Sequence, residues 1–76
     1  MNDILDQLDK RDWEIIRWKA KGYTSEQISA QTGLSPKTIR NRFSCIYDKL
    51  GVRNSIQMLR IIQQQGIDVW TMEEEK

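Results

Sequence analysis

Residues 24–51 read TSEQISAQTGLSPKTIRNRFSCIYDKLG, and this stretch decides how the chain folds. Its beginning predicts a short helix, because Thr24 followed three residues later by Gln27 is a capping-box pattern. Gly33 is expected to end that helix after about two turns, since glycine readily takes the backbone angles that stop a helix.

A second, longer helix follows in the same stretch. Ser35 and Pro36 are typical of an N-cap and a first helical position, because serine accepts a bond from an unpaired backbone N–H group and proline supplies a helical φ angle. Gly51 is placed to close this helix. A short helix, a tight turn that contains glycine and a longer helix together indicate a helix-turn-helix.

Similar signals on either side predict two further helices. Asp9 can cap a helix that runs to Ala20, and Asn54 with Gln57 can start another that closes at Gly66. The sequence therefore predicts an all-α fold of four helices near 10–20, 25–32, 36–50 and 55–65. We assign 8–67 to this domain, 1–7 to an N-terminal extension and 68–76 to an acidic C-terminal tail, and we expect both ends to fray.

Composition narrows the possible classes of function. A chain of 76 residues has room for one domain. Its single cysteine cannot form an internal disulfide, and the lack of histidine excludes a histidine-containing zinc site and histidine-dependent catalysis. We expect no metal, no cofactor and no enzymatic activity. No apolar run reaches the roughly 18–20 residues of a membrane span and no leader pattern opens the chain, so we expect no membrane partner and a cytoplasmic location.

The net charge of +1 hides an uneven distribution of charge along the chain. Residues 35–60 carry six basic side chains against Asp48 alone, which gives a net charge of +5. Residues 1–16, with five acidic and two basic side chains, and residues 61–76, with four acidic and one basic, each have a net charge of −3. A localised basic block in the middle of the chain favours a negatively charged partner such as nucleic acid.

The third predicted helix has one apolar and one polar face. At about 100° per residue, its four apolar residues fall within an arc of roughly 60° that is expected to face the core. These residues are Ile39, Phe43, Ile46 and Leu50. Phe43 is therefore predicted to be buried.

The polar face of this helix carries side chains that can read base edges. Arginine pairs with guanine, asparagine with adenine and serine with either, so Arg40, Asn41 and Ser44 are the candidate base contacts. Thr38 and Arg42 lie on one flank, within reach of backbone phosphates when the helix enters a groove with its N-terminus first.

The chain from 8 to 67 resembles the LuxR/GerE-type helix-turn-helix domain. The run Lys-Leu-Gly-Val at 49–52 is the most specific match, and the other matching segments are 8–16, 22–29 and 34–42. Three positions depart from the family pattern. Gln27 replaces a usual glutamate, Arg42 a frequent histidine and Ser55 a common basic residue.

The resemblance implies a bacterial transcription regulator that binds duplex DNA as a homodimer, with the third helix in the major groove. It also implies base contacts from Arg40, Asn41 and Ser44, and a protein associated with the nucleoid. The implied phosphate contacts are Thr24, Ser25, Lys37, Thr38 and Lys49. Because residues 1–7 do not resemble a receiver or ligand-binding domain, we expect the chain to be similar to stand-alone members of the family.

The fourth helix is the expected dimer contact. Its apolar residues spread over more than about 180° of the helix, wider than one face packed on a small core requires. We expect Met58 or Ile61 at the contact with a second copy, and Leu59 and Ile62 toward the core. The alternative is that this terminal helix is buried nearly all round.

A protein-interaction module is the rival hypothesis for function. In that case the domain binds RNA polymerase or another regulator rather than DNA. Trp13, where the family usually has a polar residue, and Trp70, beyond the end of the family pattern, favour some protein contact. Salt-dependent binding to duplex DNA separates the two hypotheses.

Three other residues have simpler interpretations. Cys45 is expected to be a small, partly buried filler rather than a redox switch. Arg11 and Glu14 are expected to form a surface ion pair within the first helix, and Trp18 is expected at the edge of the core.

Overall fold

The computed structural model describes residues 4–66, in which four α-helices follow a short 3₁₀ helix at Ile4–Gln7. The α-helices are α1 (Lys10–Ala20), α2 (Ser25–Thr32), α3 (Pro36–Leu50) and α4 (Ser55–Gln64). No strand occurs within residues 4–66. The all-α prediction is confirmed, with helix bounds within one residue of those expected. The 3₁₀ helix was not predicted, and the acidic tail with Trp70 lies outside the described residues.

Side-chain caps fix where the helices begin. The Asp12 backbone N–H donates to the Asp9 carboxylate at 2.8 Å, and the Asp9 N–H donates back to the Asp12 carboxylate at 3.2 Å. Thr24 and Gln27 form the same reciprocal pair at the start of α2, at 3.1 and 2.8 Å. Each box satisfies backbone donors that a helix end leaves without partners.

The turn between α2 and α3 is set by Gly33 and Ser35. Gly33 has a φ angle of +83°, a left-handed conformation that side chains other than glycine adopt only with strain. Two residues later the Ser35 hydroxyl accepts the Thr38 N–H at 3.1 Å and starts α3. The short connection places α2 directly against α3, which forms the helix-turn-helix.

The core lies on the inner face of α3 and joins all four α-helices. The apolar stripe predicted on α3 is confirmed, because Ile39, Phe43, Ile46 and Leu50 are all buried. The other buried apolar residues are Leu8, Ile15, Ile16, Ile28, Met58 and Ile62. Trp13 and Trp18 are partly buried and pack against this cluster, as expected for Trp18.

Two side chains on α3 and α4 differ from expectation. Met58 is 0% exposed, so it belongs to the core and cannot form the expected surface contact. Ile56 is the apolar residue that projects from α4, with 70% of its surface exposed, while Leu59 and Ile61 are half-buried. Cys45 is exposed rather than a partly buried filler, because it lies on the α3 surface away from the apolar stripe.

Candidate nucleic-acid interface

The outer face of α3 is polar and open to solvent. The three predicted base contacts Arg40, Asn41 and Ser44 are all exposed, as are Lys37 and Thr38 nearer the start of the helix. The buried stripe on the opposite side holds the helix in one rotational setting, so these side chains point away from the core. A rigid helix with a polar outer face is the kind of element that reads the major groove.

Arg40 is held from the neighbouring helix. Its Nη1 atom lies 3.4 Å from Oε2 of Glu26, in the first turn of α2. Both side chains are largely exposed, 59% for Arg40 and 70% for Glu26. The contact bridges α2 and α3 across the turn, so the second helix contributes to how this arginine is presented.

Arg42 is held more firmly, from α1. Its Nη1 atom donates to Oδ1 of Asp12 at 2.9 Å and lies 3.5 Å from Oδ1 of Asp9. The Asp12 residue is only 5% exposed, whereas the Arg42 side chain is 35% exposed. The guanidinium of Arg42 therefore already has carboxylate partners, with which a phosphate at the predicted contact would compete.

The same cluster acts on the Asp9 carboxyl. The backbone N–H of Asp12 bonds to the ionised form and lowers the pKa of Asp9 below its ordinary value, and the charge of Arg42 lowers this pKa further. Asp9 thus caps α1 as an anion and shares Arg42 with Asp12.

A groove lies between α3 and the start of α1. It has a volume of about 340 Å³ and brings together four predicted contact residues: Thr38, Asn41, Arg42 and Lys49. Its other lining residues are Asp9, Asp12 and Cys45. The groove is therefore mixed in charge, with cations and an amide on α3 facing two carboxylates of α1 and its N-cap.

Lys49 and Thr38 have other bonds in this structure. The Lys49 Nζ atom donates to the Gln7 carbonyl at 3.2 Å, so it ties the end of α3 to the 3₁₀ helix. The Ser35 hydroxyl donates to Thr38 Oγ1 at 3.0 Å, which leaves the Thr38 hydroxyl proton able to bond to an outside acceptor.

The start of α2 presents the remaining two predicted contacts. Thr24 is exposed, although its hydroxyl is used in the capping box, and Ser25 is half-buried. They lie apart from the groove on the α1 side. The N-terminus of a helix offers backbone N–H groups and a positive dipole end to anions, which suits a phosphate.

Sequence reasoning missed the acidic partners of the two arginines. Asp12 and Arg42 are 30 positions apart, and Glu26 and Arg40 are 14 apart, so no local spacing rule connects them. The sequence does offer a local signal for Asp12 itself, which follows Asp9 by three residues and so fits a capping box with aspartate in place of glutamate. That signal does not point to Arg42. The local pair expected between Arg11 and Glu14 is confirmed at 3.1 Å.

The fold and this outer face define a helix-turn-helix protein of the DNA-binding class. Residues 6–62 match the family of bacterial regulatory proteins of the luxR type, also called GerE. The chain belongs to this family, which confirms the resemblance drawn from the sequence. The family and the relatives below are transcriptional regulators, not enzymes.

Several curated proteins are similar to the chain. It is 42% identical over 53 residues to the probable transcriptional regulatory protein SgaR of Hyphomicrobium methylovorum, covering 70% of the chain and 25% of SgaR. It is 33% identical over 61 residues to the transcriptional regulatory protein YdfI of Bacillus subtilis, covering 80% of the chain and 29% of YdfI. It is 36% identical over 55 residues to the transcriptional regulatory protein UhpA of Escherichia coli, covering 72% and 28%.

The chain thus spans between a quarter and a third of the length of these relatives. No solved structure matches it at a significant level. Among residues 4–66, no helix is both long enough and apolar enough to cross a membrane.

Proposed function

We propose that this protein binds specific sequences of double-stranded DNA as a homodimer and regulates transcription, with α3 as the recognition helix in the major groove. The observation that carries the proposal is the exposed outer face of α3, where Arg40, Asn41 and Ser44 project together from a helix fixed by its buried stripe. Those three side chains have the donors and acceptors that distinguish base pairs.

The phosphate contacts divide between two helices. Lys37 is exposed near the start of α3, and no ion pair to it occurs within residues 4–66. On α2, Thr24 and Ser25 stand at a helix N-terminus that suits a phosphate. Contacts from both helices would fix the angle of α3 in the groove. Such contacts position a protein on DNA without reading its sequence.

The dimer would form through the outer face of α4. Ile56 is 70% exposed and Ile61 is half-buried, so apolar surface remains outside the core. A two-fold pair would set two recognition helices on half-sites about one turn of DNA apart. It would also double the phosphate contacts of a domain whose positive surface is modest.

The test of DNA recognition is selection of bound duplexes from a random library, followed by titration of the selected duplex at several salt concentrations. A shared sequence motif should emerge, and affinity should fall steeply as salt rises, because phosphate binding releases counterions. Selection that returns no motif would exclude sequence-specific recognition.

The test of dimerisation is sedimentation at tens of micromolar with two matched variants of α4. Ile61→Glu should give a folded monomer, because the charge falls on the outer face. Met58→Glu should unfold the domain instead, because a carboxylate is expensive in a core position that is 0% exposed. A wild-type monomer that binds one site without two-fold symmetry would refute the dimer.

A second candidate function is binding to RNA polymerase or another regulator. Arg40 and Arg42 of α3 both have carboxylate partners within the domain, and these partners offset the positive charge that would attract DNA. This favours the second candidate. Trp13, one of the residues behind this alternative, packs partly buried against the core. If duplex binding is absent at low salt, this candidate replaces the first.

A DNA-bound regulator in a bacterium would work in the cytoplasm, associated with the nucleoid.

A further inference from the structure

We infer that Glu26 is a positioning residue that makes Arg40 selective for one base pair. The inference rests on the proposed function and deepens it. It starts from the contact between Oε2 of Glu26 and Nη1 of Arg40 at 3.4 Å, which joins the first turn of α2 to the second turn of α3.

The geometry of the contact leaves Arg40 able to bind a base. An arginine side chain has five N–H donors, and a bidentate bond to guanine uses two of them. Since Glu26 lies against Nη1, the edge formed by Nη2 and Nε is free to face the O6 and N7 atoms of a guanine. The pair therefore orients the guanidinium without occupying its base-reading edge.

Orientation matters because Arg40 is 59% exposed. An exposed arginine samples many rotamers, and each productive bond must offset the loss of that freedom. A carboxylate that holds the side chain before DNA arrives removes part of this cost, which strengthens the bidentate bond relative to looser contacts. The effect falls on one base pair, the one that Arg40 reads.

Glu26 has a second effect, on duplexes of any sequence. It follows Thr24 and Ser25, the proposed phosphate contacts at the start of α2. A carboxylate there repels the DNA backbone, which weakens binding to all duplexes. This repulsion does not depend on sequence, so it lowers affinity for specific and random duplexes alike and leaves their ratio unchanged. Only the orientation of Arg40 raises the ratio of specific to non-specific affinity.

The test compares Glu26→Gln with the wild type on the selected duplex and on duplexes changed at each base pair. The variant keeps the size of the side chain and removes its charge. Discrimination at one base pair should fall about threefold, within the range that exposed ion pairs contribute. Affinity for random duplex should rise. In an Arg40→Ala background, Glu26→Gln should cause no further loss of discrimination.

Glu14→Gln is the matched control, because it removes the same charge from a half-buried ion pair that lies within α1. It should leave discrimination unchanged, and melting temperatures should agree among the wild type and the four variants. If Glu26→Gln lowers discrimination equally in the Arg40→Ala background, Glu26 contacts a base directly and the inference is wrong. Unchanged discrimination in Glu26→Gln also overturns it, while a wild type without sequence preference overturns the proposed function as well.

Discussion

The inner and outer faces of α3 are built from different interactions. The inner face is a stripe of four buried apolar side chains, each in contact with a common core. The outer face is polar and carries Arg40, which pairs with exposed Glu26 of α2. Half-buried Arg42, on the flank between the two faces, bonds to carboxylates on α1 and at the α1 N-cap. The stability gained from apolar burial is proportional to the buried area, so truncating a buried side chain lowers the free energy of unfolding substantially. Exposed ion pairs contribute little to that free energy. Substitutions on the two faces should therefore separate folding from recognition.

The largest expected effect is at Phe43, on the inner face. This residue is 5% exposed, and the centroid of its ring lies 5.9 Å from the centroid of the Tyr47 ring. Phe43→Ala should lower the free energy of unfolding by about 3–5 kcal/mol, a large share of what so small a domain has. Thermal melts followed by circular dichroism measure the loss. The neighbouring Ser44→Ala, on the outer face, should stay within about 0.5 kcal/mol of the wild type.

A smaller loss of stability is expected at Asp12, which joins α1 to Arg42 of α3. Asp12→Ala removes the nearer of the two carboxylate partners of Arg42 and half of the capping box at the start of α1. Loss of a largely buried carboxylate with these bonds should cost about 2–3 kcal/mol in urea unfolding. Asp12→Asn, which keeps a side-chain acceptor, should lose less. Equal stability of Asp12→Ala and the wild type would mean that α1 and α3 are held by the apolar core alone.

The difference between the faces also explains what the sequence could predict. The helix bounds follow from caps such as Thr24 and Ser35, whose partners lie three residues away, and the stripe on α3 follows from helical periodicity. These are local rules. The pair between Asp12 and Arg42 depends on how α1 crosses α3, which no spacing in the sequence reveals.

The interpretation of α4 shows the same limit. Its apolar residues cover more than half of the helix surface, and a helical wheel cannot tell which part of that arc faces the core. The structure buries Met58 and exposes Ile56, so one of the two expected dimer contacts was wrong. The predicted base contacts, phosphate contacts and the Ile61 dimer contact stay predictions.

On the outer face, the variants should change recognition and leave stability intact. Arg40→Ala should remove about 1–3 kcal/mol of preference at one base pair. Lys37→Ala should weaken all duplexes about equally and lower the salt dependence by roughly one ion. Competition binding on the selected duplex and its single-base variants measures both. A selected motif unchanged by Arg40→Ala would contradict the docking of α3 proposed above.

The smallest effect is expected from pH, at the α1 N-cap. The pKa of Asp9 is lower in the folded protein than its ordinary value, so its ionised form adds stability above the pKa of the unfolded state. That contribution is lost as pH falls through the lower pKa of the folded state. Asp9→Asn still caps the helix but does not titrate, so its stability should fall less steeply than that of the wild type in acid. Urea unfolding across the acidic range gives both slopes, and parallel slopes would exclude this role for Asp9.

Because Cys45 is exposed, the chain can be labelled at a single site without any substitution. Cys45 is the single cysteine of the chain, and it lies on α3 directly after Ser44. A thiol-reactive spin label therefore attaches at one known place, with no cysteine to remove first. In a homodimer, two such labels would report the separation of the two recognition helices without any DNA present. One turn of B-DNA is about 34–36 Å long, a distance that pulsed spin-resonance methods measure well, so the half-site spacing becomes readable from the protein alone.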